Sequence, residues 1–425
     1  MTTTSFSAHR TTARRPLRRS DLRVVAPALQ LPETAGAEVF SAVRQHGPIA
    51  REAIAGATSL SVATVNRQVS ALLEAGLLLE RADLAPSGAI GRPRRPVVVN
   101  HEPFLTLGLH IGAKATSIVA ADLLGRTLDV VETPTPNTGP KAALAALASS
   151  ASRYLTRWQK RRPLWIGVTI GGTVHGGTGH VDHPRLGWSA APVGPVLAAE
   201  LGLPVSVASH VDAMAGAELL FGGRVANASS SLYVYARETV GYALVIGGRV
   251  HSPAGGPGTI AGLPAHSEML GGATTLESIV SDEAVLAAAR RLRLSAEGNG
   301  TGATAVTALV REARAGNERL AELLNERARA LGEAVALLRD VLNPDDLVVG
   351  GQGFTEYPEA MAALQRAFTQ RSVLPTRALR VTAFGNRVQE AGAGTVSLSA
   401  LYADPVGAMR RSRGPVATAV PDVSA

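Results

Sequence analysis

The chain has 425 residues and no cysteine, so two or three domains are expected, and disulfides and thiolate zinc sites are excluded. No apolar run approaches the ~20 residues that span a membrane, and no apolar segment follows the N-terminal arginines, so neither a membrane anchor nor a cleaved signal is expected. The net charge is +8, and the first 100 residues hold 13 arginines against 7 acidic residues. This asymmetry predicts that only the N-terminal quarter meets nucleic acid.

The first 103 residues divide into two predicted segments. Residues 1–36 are rich in Thr, Ser, Arg and Pro, which predicts a disordered basic arm along the DNA backbone. Residues 37–103 predict a winged helix-turn-helix domain. Its first helix is predicted at Glu38–His46 and is stopped by Gly47-Pro48. The stretch from Gly47 to Gly76 then predicts two short helices joined by a tight turn.

The second of these short helices has the features of a DNA recognition helix. Ser61 is a suitable N-cap, since its hydroxyl can accept a hydrogen bond from a first-turn backbone N–H. One stripe is apolar and is predicted to be buried; it consists of Val62, Val65, Val69 and Leu72. The opposite face is small and polar and suits the DNA major groove, where Arg67 can bond a guanine edge. The predicted DNA contacts here are Ser61, Ala63, Thr64, Asn66, Arg67 and Ser70. An ordinary surface helix is the alternative.

A predicted β-hairpin follows this helix and forms the wing. Its strands are expected at Leu77–Leu79 and Pro96–Val99, around a tip that ends in Gly91-Arg92-Pro93-Arg94-Arg95. Such a run is extended and basic, which suits phosphate contact or insertion into a narrow minor groove. Arg92, Arg94 and Arg95 are therefore predicted DNA contacts, and no acid between Leu84 and Asn100 balances them. A solvated basic loop is the alternative.

Alternating apolar runs and helical patterns after residue 103 predict an α/β body. It begins with a three-strand meander at Phe104–Ile111, Thr116–Asp122 and Leu128–Thr133. A mostly helical region is predicted from Leu276 to Leu342, and residues 404–425 are predicted to be a disordered tail.

These features together resemble the ROK family (repressor, open reading frame, kinase) over about residues 37–403. The match rests on the order and spacing of several motifs. They are the wing run with Pro96, the strand into Ile111-Gly112, Pro184-Arg185-Leu186-Gly187-Trp188, Leu203-Pro204-Val205, Ala217-Glu218-Leu219-Leu220-Phe221-Gly222, Asn343-Pro344-Asp345, Gly350-Gly351 and the Gly392–Leu401 helix. The resemblance implies a two-lobed, actin-like (ribonuclease H-like) body at 104–403. Lobe one is expected at about 104–205 with 390–403, and lobe two at about 206–389.

The chain departs from the kinases of this family at three separate places. The family's Asp-x-Gly-Gly-Thr loop is His110-Ile111-Gly112-Ala113-Lys114 here, and its Gly-Thr-Gly-Ile-Gly loop is Arg237-Glu238-Thr239-Val240-Gly241. The Glu-Asn-Asp that holds the catalytic Asp is Ala208-Ser209-His210. The acid, the glycines for close phosphate approach and the base are therefore lost together. No catalytic residue and no cofactor are predicted.

The family's zinc and sugar ligands are also replaced. Its Glu-x-Gly-His is Thr259-Ile260-Ala261-Gly262 here, and its cysteine cluster is absent, so no metal site is predicted. Positions that hold sugar hydroxyls in relatives correspond to Ser209, His210, Thr259 and Gly262. The predicted effector-binding residues are His183, Arg185, Ser209, His210 and Glu277. Such a cleft would prefer an anion, such as a sugar phosphate or sugar acid. Pairing of these side chains with local carboxylates is the alternative.

The resulting hypothesis is a DNA-binding regulator of carbohydrate-related metabolism with a non-catalytic sensor body. A palindromic operator, a homodimer or dimer of dimers, and a cytoplasmic, nucleoid-associated location are expected. A body that only dimerises or docks a protein is one alternative. A sugar kinase with a DNA-binding appendage is the other, and it would need the missing phosphate loops.

Overall fold

A computed structural model describes residues 23–84, 95–223, 228–294, 303–375 and 377–413. A winged helix-turn-helix domain precedes a two-lobed α/β body, which is the predicted fold class. Elements of the winged domain are α1 (Ala35–His46), α2 (Arg51–Thr58), α3 (Val62–Glu74), β1 (Leu78–Glu80) and β2 (Val97–Val99).

The winged domain follows its sequence signals, with two differences. Thr34 caps α1, its hydroxyl accepting from the Ala37 backbone N–H at 3.2 Å, so this helix begins before the predicted Glu38. Of the predicted buried stripe of α3, all residues but the first are fully buried. Val62 is 49% exposed, because the first residue of the helix projects beyond the small core.

Lobe one is built mainly from residues 104–209 around a five-stranded sheet. Its elements are β3 (Phe104–Ile111), β4 (Ala115–Ala121), β5 (Thr127–Pro134), α4 (Pro140–Leu155), β6 (Arg162–Ile170), β7 (Thr173–His175), β8 (His180–His183), β9 (Trp188–Ala191), α5 (Val193–Leu201) and β10 (Val205–Ser209). The sheet order is β10-β6-β3-β4-β5, and the predicted meander is its antiparallel side. Because β10 stays in this sheet to Ser209, the chain leaves lobe one there and not near 205.

Lobe two contains a second sheet covered by helices. Its elements are α6 (His210–Phe221), β11 (Ser230–Ala236), β12 (Val240–Ile246), β13 (Arg249–His251), β14 (Gly258–Thr259), β15 (Pro264–Ser267), β16 (Gly272–Thr275), α7 (Leu276–Val280), α8 (Asp282–Arg291), α9 (Ala303–Arg314), α10 (Glu318–Leu342), β17 (Asp346–Gly350), α11 (Gln352–Thr355), α12 (Met361–Arg371) and β18 (Arg380–Val381). The sheet order is β13-β12-β11-β17-β18, with β14 beside β12. The sheet and its helices enclose one large apolar core.

Two C-terminal helices complete the body, α13 (Val388–Ala403) and α14 (Pro405–Ser412). Helix α13 returns to lobe one and lies directly on its sheet. A Cβ on Gly108 would be 2.6 Å from the Ala393 carbonyl carbon, so only glycine permits this approach. Helix α14 shows that the predicted disordered tail is wrong for residues 404–413. Asp404 caps it, and Met409 is buried in the core that the winged domain shares with lobe one.

Residues 23–34 also differ from the prediction, since they are an ordered strap rather than part of a disordered arm. The Val25 backbone N–H donates to Val205 of lobe one at 2.9 Å. Further along, the Leu31 backbone N–H donates to the Gly248 carbonyl of lobe two at 2.8 Å. Leu29, which lies between these two contacts in the chain, is buried. The strap therefore crosses from one lobe to the other before it enters α1. Residues 1–22 lie outside the described residues.

Candidate functional site

The outer face of α3 presents the residues that the sequence assigns to DNA contact. Ser61 has a structural task there, because its hydroxyl accepts from the Thr64 backbone N–H at 3.2 Å and lies 3.0 Å from the Thr64 hydroxyl. This cap fixes the first turn of the helix and leaves Thr64 half-buried. The remaining predicted residues are exposed, namely Ala63, Asn66, Arg67 and Ser70.

An ion-pair network that sequence reasoning misses joins α2, α3 and the wing. Arg51, at the start of α2, donates to Glu80 Oε1 at 3.0 Å and to Asn66 Oδ1 at 3.4 Å. The other oxygen of Glu80 lies 3.7 Å from Arg95 Nη1. Two arginines thus share one carboxylate, so the junction keeps a positive charge. No local signal reveals this network, since Arg51 and Glu80 are 29 positions apart.

The wing hairpin is attached firmly to the helix-turn-helix unit. Strands β1 and β2 pair antiparallel, with Glu80 opposite Val97. Ile49, just before α2, exchanges backbone hydrogen bonds with Val97 at 3.1 and 2.9 Å. Arg95 is exposed at the base of the hairpin. Arg92 and Arg94 lie outside the described residues, so their assignment to DNA stays a prediction.

A cleft of about 410 Å³ opens between the two lobes. It brings together four of the five residues predicted to bind an effector. They are His183, Arg185, His210 and Glu277. The fifth, Ser209, is buried, and its hydroxyl accepts from the Asp212 backbone N–H at 3.2 Å, so it caps α6. The rest of the lining includes residues 110–113, which run from the end of β3 into the following turn, and residues 238–241, which lead into β12.

The cleft histidines are uncharged near neutral pH. Burial, together with the nearby Arg237 and a neighbouring histidine, lowers the pKa of His110 to about 3 and that of His210 to about 4. His110 Nδ1 lies 3.0 Å from the Thr169 hydroxyl. Burial likewise lowers the pKa of His183, whose Nδ1 accepts from the Leu186 backbone N–H at 3.2 Å. These rings can exchange hydrogen bonds with a ligand, but they add no positive charge.

Arg185 is paired with a carboxylate of the protein itself. Its Nη2 donates to Glu277 Oε1 at 3.0 Å and to the Glu238 backbone carbonyl at 2.9 Å. The second oxygen of Glu277 accepts from the Val240 backbone N–H at 3.3 Å. The predicted preference for an anion is therefore not supported, and the geometry matches the alternative of pairing with a local carboxylate. One arginine and two glutamates line the cleft in the described part of the chain.

The three places that the sequence marks as departures from a kinase meet in this cleft. His110 lies at the end of β3, Glu238 lies in the turn between β11 and β12, and His210 is the first residue of α6. His110 and His210 have ring centroids 6.3 Å apart. A neutral imidazole replaces each carboxylate, and Glu238 adds negative charge where a phosphate would need positive partners.

Most of the segment that the resemblance matches to the family's metal site forms a β-hairpin here. Strands β15 and β16 pair antiparallel over Pro264–Ser267 and Gly272–Thr275. Arg329 donates to the His266 carbonyl at 3.0 Å, and Arg291 donates to the Met269 carbonyl at 2.7 Å. Within the described ranges, no cluster of three or more His, Asp or Glu side chains could hold a metal ion. None of the helices in those ranges is long and apolar enough to cross a membrane.

Comparison with known sequences finds relatives that match most of the chain. A model of the ROK family matches residues 106–403. The transcriptional regulator Rv0485 of Mycobacterium tuberculosis is 69% identical over 421 residues, covering 96% of each chain. The DNA-binding transcriptional dual regulator NagC of Escherichia coli is 24% identical over 328 residues, covering 74% of this chain and 80% of NagC. A putative xylose repressor of Caldicellulosiruptor is 26% identical over 340 residues, covering 74% of this chain and 82% of that protein.

Solved structures share the fold of this chain. A ROK family transcriptional regulator, described as a homologue of the Escherichia coli MLC protein, superposes with a TM-score of 0.71 at 21% identity, covering 89% of this chain and 97% of that one. A ROK family glucokinase from Streptomyces griseus, in complex with glucose and AMPPNP, gives 0.60 at 19% identity and covers 69% of this chain and 99% of its own. The larger coverage of the regulator indicates that its likeness extends beyond the body.

Proposed function

The chain belongs to the ROK family, and we propose that it regulates transcription by binding double-stranded DNA through residues 37–103. The exposed face of α3, presented by a winged domain that packs on the ROK body, carries this proposal. A relative named as a transcriptional regulator, matched along nearly the full length, supports it. Relatives named for N-acetylglucosamine and xylose support a carbohydrate-related role. A symmetric homodimer or dimer of dimers on a palindromic operator is part of the proposal, as is a location at the nucleoid.

Arg67→Ala tests the recognition helix. Arg67 is exposed at the centre of the outer face of α3, where its guanidinium can bond a guanine edge. We expect the variant to lose ~1–3 kcal/mol of affinity for an operator selected from random DNA, and much less for scrambled DNA. Fluorescence anisotropy on both duplexes measures the two losses.

The matched control is Arg311→Ala, which removes one exposed arginine from α9 of lobe two and should change neither affinity. Equal losses on operator and scrambled DNA would make Arg67 a phosphate contact. A protein that selects no sequence at all would contradict the proposed function itself.

The interlobe cleft is proposed to bind a sugar-derived effector. Arg185 is already paired and the cleft histidines are neutral, so a neutral hydroxylated molecule fits these walls better than a phosphate or an acid. A thermal-shift screen of neutral sugars, sugar phosphates and sugar acids tests this, followed by operator binding with any hit. Stabilisation by sugar phosphates alone would contradict the neutral ligand. No hit in any class would favour the second candidate, a body that only dimerises or docks a protein.

We also expect no ATP-dependent sugar kinase activity. The acid, the glycine-rich phosphate loop and the base are replaced at His110, Glu238 and His210, which line the same cleft. A coupled assay with glucose, mannose, N-acetylglucosamine and xylose should show no turnover above the blank. Turnover that follows the purified protein through successive columns, and disappears in a Gly241→Val variant, would overturn this expectation.

A further inference from the structure

Val62 is an apolar side chain in an exposed position on the recognition helix. It is 49% exposed, whereas Val65, Val69 and Leu72 of the same helix are fully buried. The helix does not need valine at this position, because β-branched residues have lower helix propensity than alanine. Neither core packing nor local helix formation therefore accounts for this residue.

The surroundings of Val62 show what could cover it. Val62 stands at the first turn, at the edge between the buried stripe and the outer face. Ala63, the next residue, is exposed and apolar, and Asn66, one turn further along, is exposed and polar. The first residues of a recognition helix are the ones that reach base edges in the major groove. The apolar feature that a base edge presents in this groove is the C5-methyl group of thymine.

We infer that Val62 contacts the C5-methyl group of a thymine in each half-site of the operator. This inference rests on the proposed DNA-binding function and adds a second specificity residue to Arg67. The two residues are five positions apart, which is about 7.5 Å along an α-helix, or roughly two base-pair steps of 3.4 Å. The thymine is therefore expected within about two base pairs of the guanine that Arg67 reads.

The experiment replaces thymine by 2′-deoxyuridine, which lacks only the methyl group. An operator is first selected from random DNA with the full-length protein, and each thymine is then substituted in turn. For the wild-type protein, one thymine per half-site should lose about fourfold in affinity, the value of one buried methyl-sized group. Val62→Ala should weaken binding to the unmodified operator by a similar factor per half-site and should be insensitive to deoxyuridine at that position.

Arg67→Ala is the matched control, because it should lose guanine preference while keeping the deoxyuridine effect. Val62→Ala should fold normally, since the side chain is exposed and alanine favours the helix, and circular dichroism checks this. If Val62→Ala keeps the wild-type response at every thymine, or no thymine responds in the wild type, the inference is wrong while specific DNA binding stands. If no operator can be selected, the proposed function and the inference fall together.

Discussion

Arg327→Ala is expected to destabilise lobe two by ~3–5 kcal/mol, because it removes the hydrogen-bonded counter-charge of the buried Asp282 carboxylate and leaves only Arg237, whose Nε is 3.9 Å from Asp282 Oδ2. Arg327 Nη2 donates to Asp282 Oδ1 at 2.7 Å, and both side chains are almost fully buried. Its Nε donates to the Val280 carbonyl at 2.7 Å, so the same side chain ties the α7–α8 junction to α10. Hydrogen exchange of the amides of α10, with and without urea, measures the loss.

Two further variants separate this effect from ordinary charge removal. Arg319→Ala breaks the exposed pair with Glu322 at 2.9 Å on the same helix and should cost at most ~1 kcal/mol. The double variant Arg327→Met with Asp282→Leu removes both buried charges and should recover part of the loss. If Arg327→Ala costs no more than Arg319→Ala, Arg237 or water compensates Asp282, and the expected dependence on Arg327 is wrong.

The winged domain could be predicted because its signals are local. Ser61 caps the helix that follows it, Gly76 has the positive φ that glycine favours, and the apolar spacing of α3 follows the helical period. Val62 shows the limit of such patterns, because the apolar spacing of a helix does not indicate which of its residues lie beyond the edge of the core. The sequence also predicted the alternation of strands and helices in the body, and most of its elements are confirmed.

The strap at residues 23–34 could not be predicted in this way. Its partners Val205 and Gly248 are far away in the chain, and no periodic pattern within the strap indicates them. Helix α14 is different, because Asp404 followed by Pro405 is a recognisable cap and first helical residue.

The types of residue in the cleft were not enough to predict which ligand charge the cleft would favour. Arg185 and the two histidines suggested an anion, yet the charge of Arg185 is balanced by Glu277, 92 positions away. The charge of His183 and His210 depends on how deeply the lobes bury them. Both are properties of the folded chain, and they redirect the proposed effector from an anion to a neutral sugar.

Replacing Arg92, Arg94 and Arg95 with alanine is expected to lower DNA affinity strongly and to flatten its dependence on salt. Each phosphate contact adds about −0.9 to the slope of log K against log salt, so the slope should fall by roughly two to three per wing, and by up to twice that in a dimer. Arg95 shares Glu80 with Arg51, so its own part should be the smallest of the three. Binding isotherms at several salt concentrations give the slope.

The wing is expected to supply affinity more than base specificity, because phosphate contacts carry no sequence information. Preference for operator over scrambled DNA should therefore persist in weaker form, as the face of α3 is intact. A matched triple variant, Arg311, Arg366 and Arg371 to alanine, removes the same charge from exposed positions on lobe two and should leave the slope almost unchanged. If the wing variant keeps the wild-type slope, the hairpin does not lie on DNA, and the arginines of α2 and α3 must hold the phosphates alone.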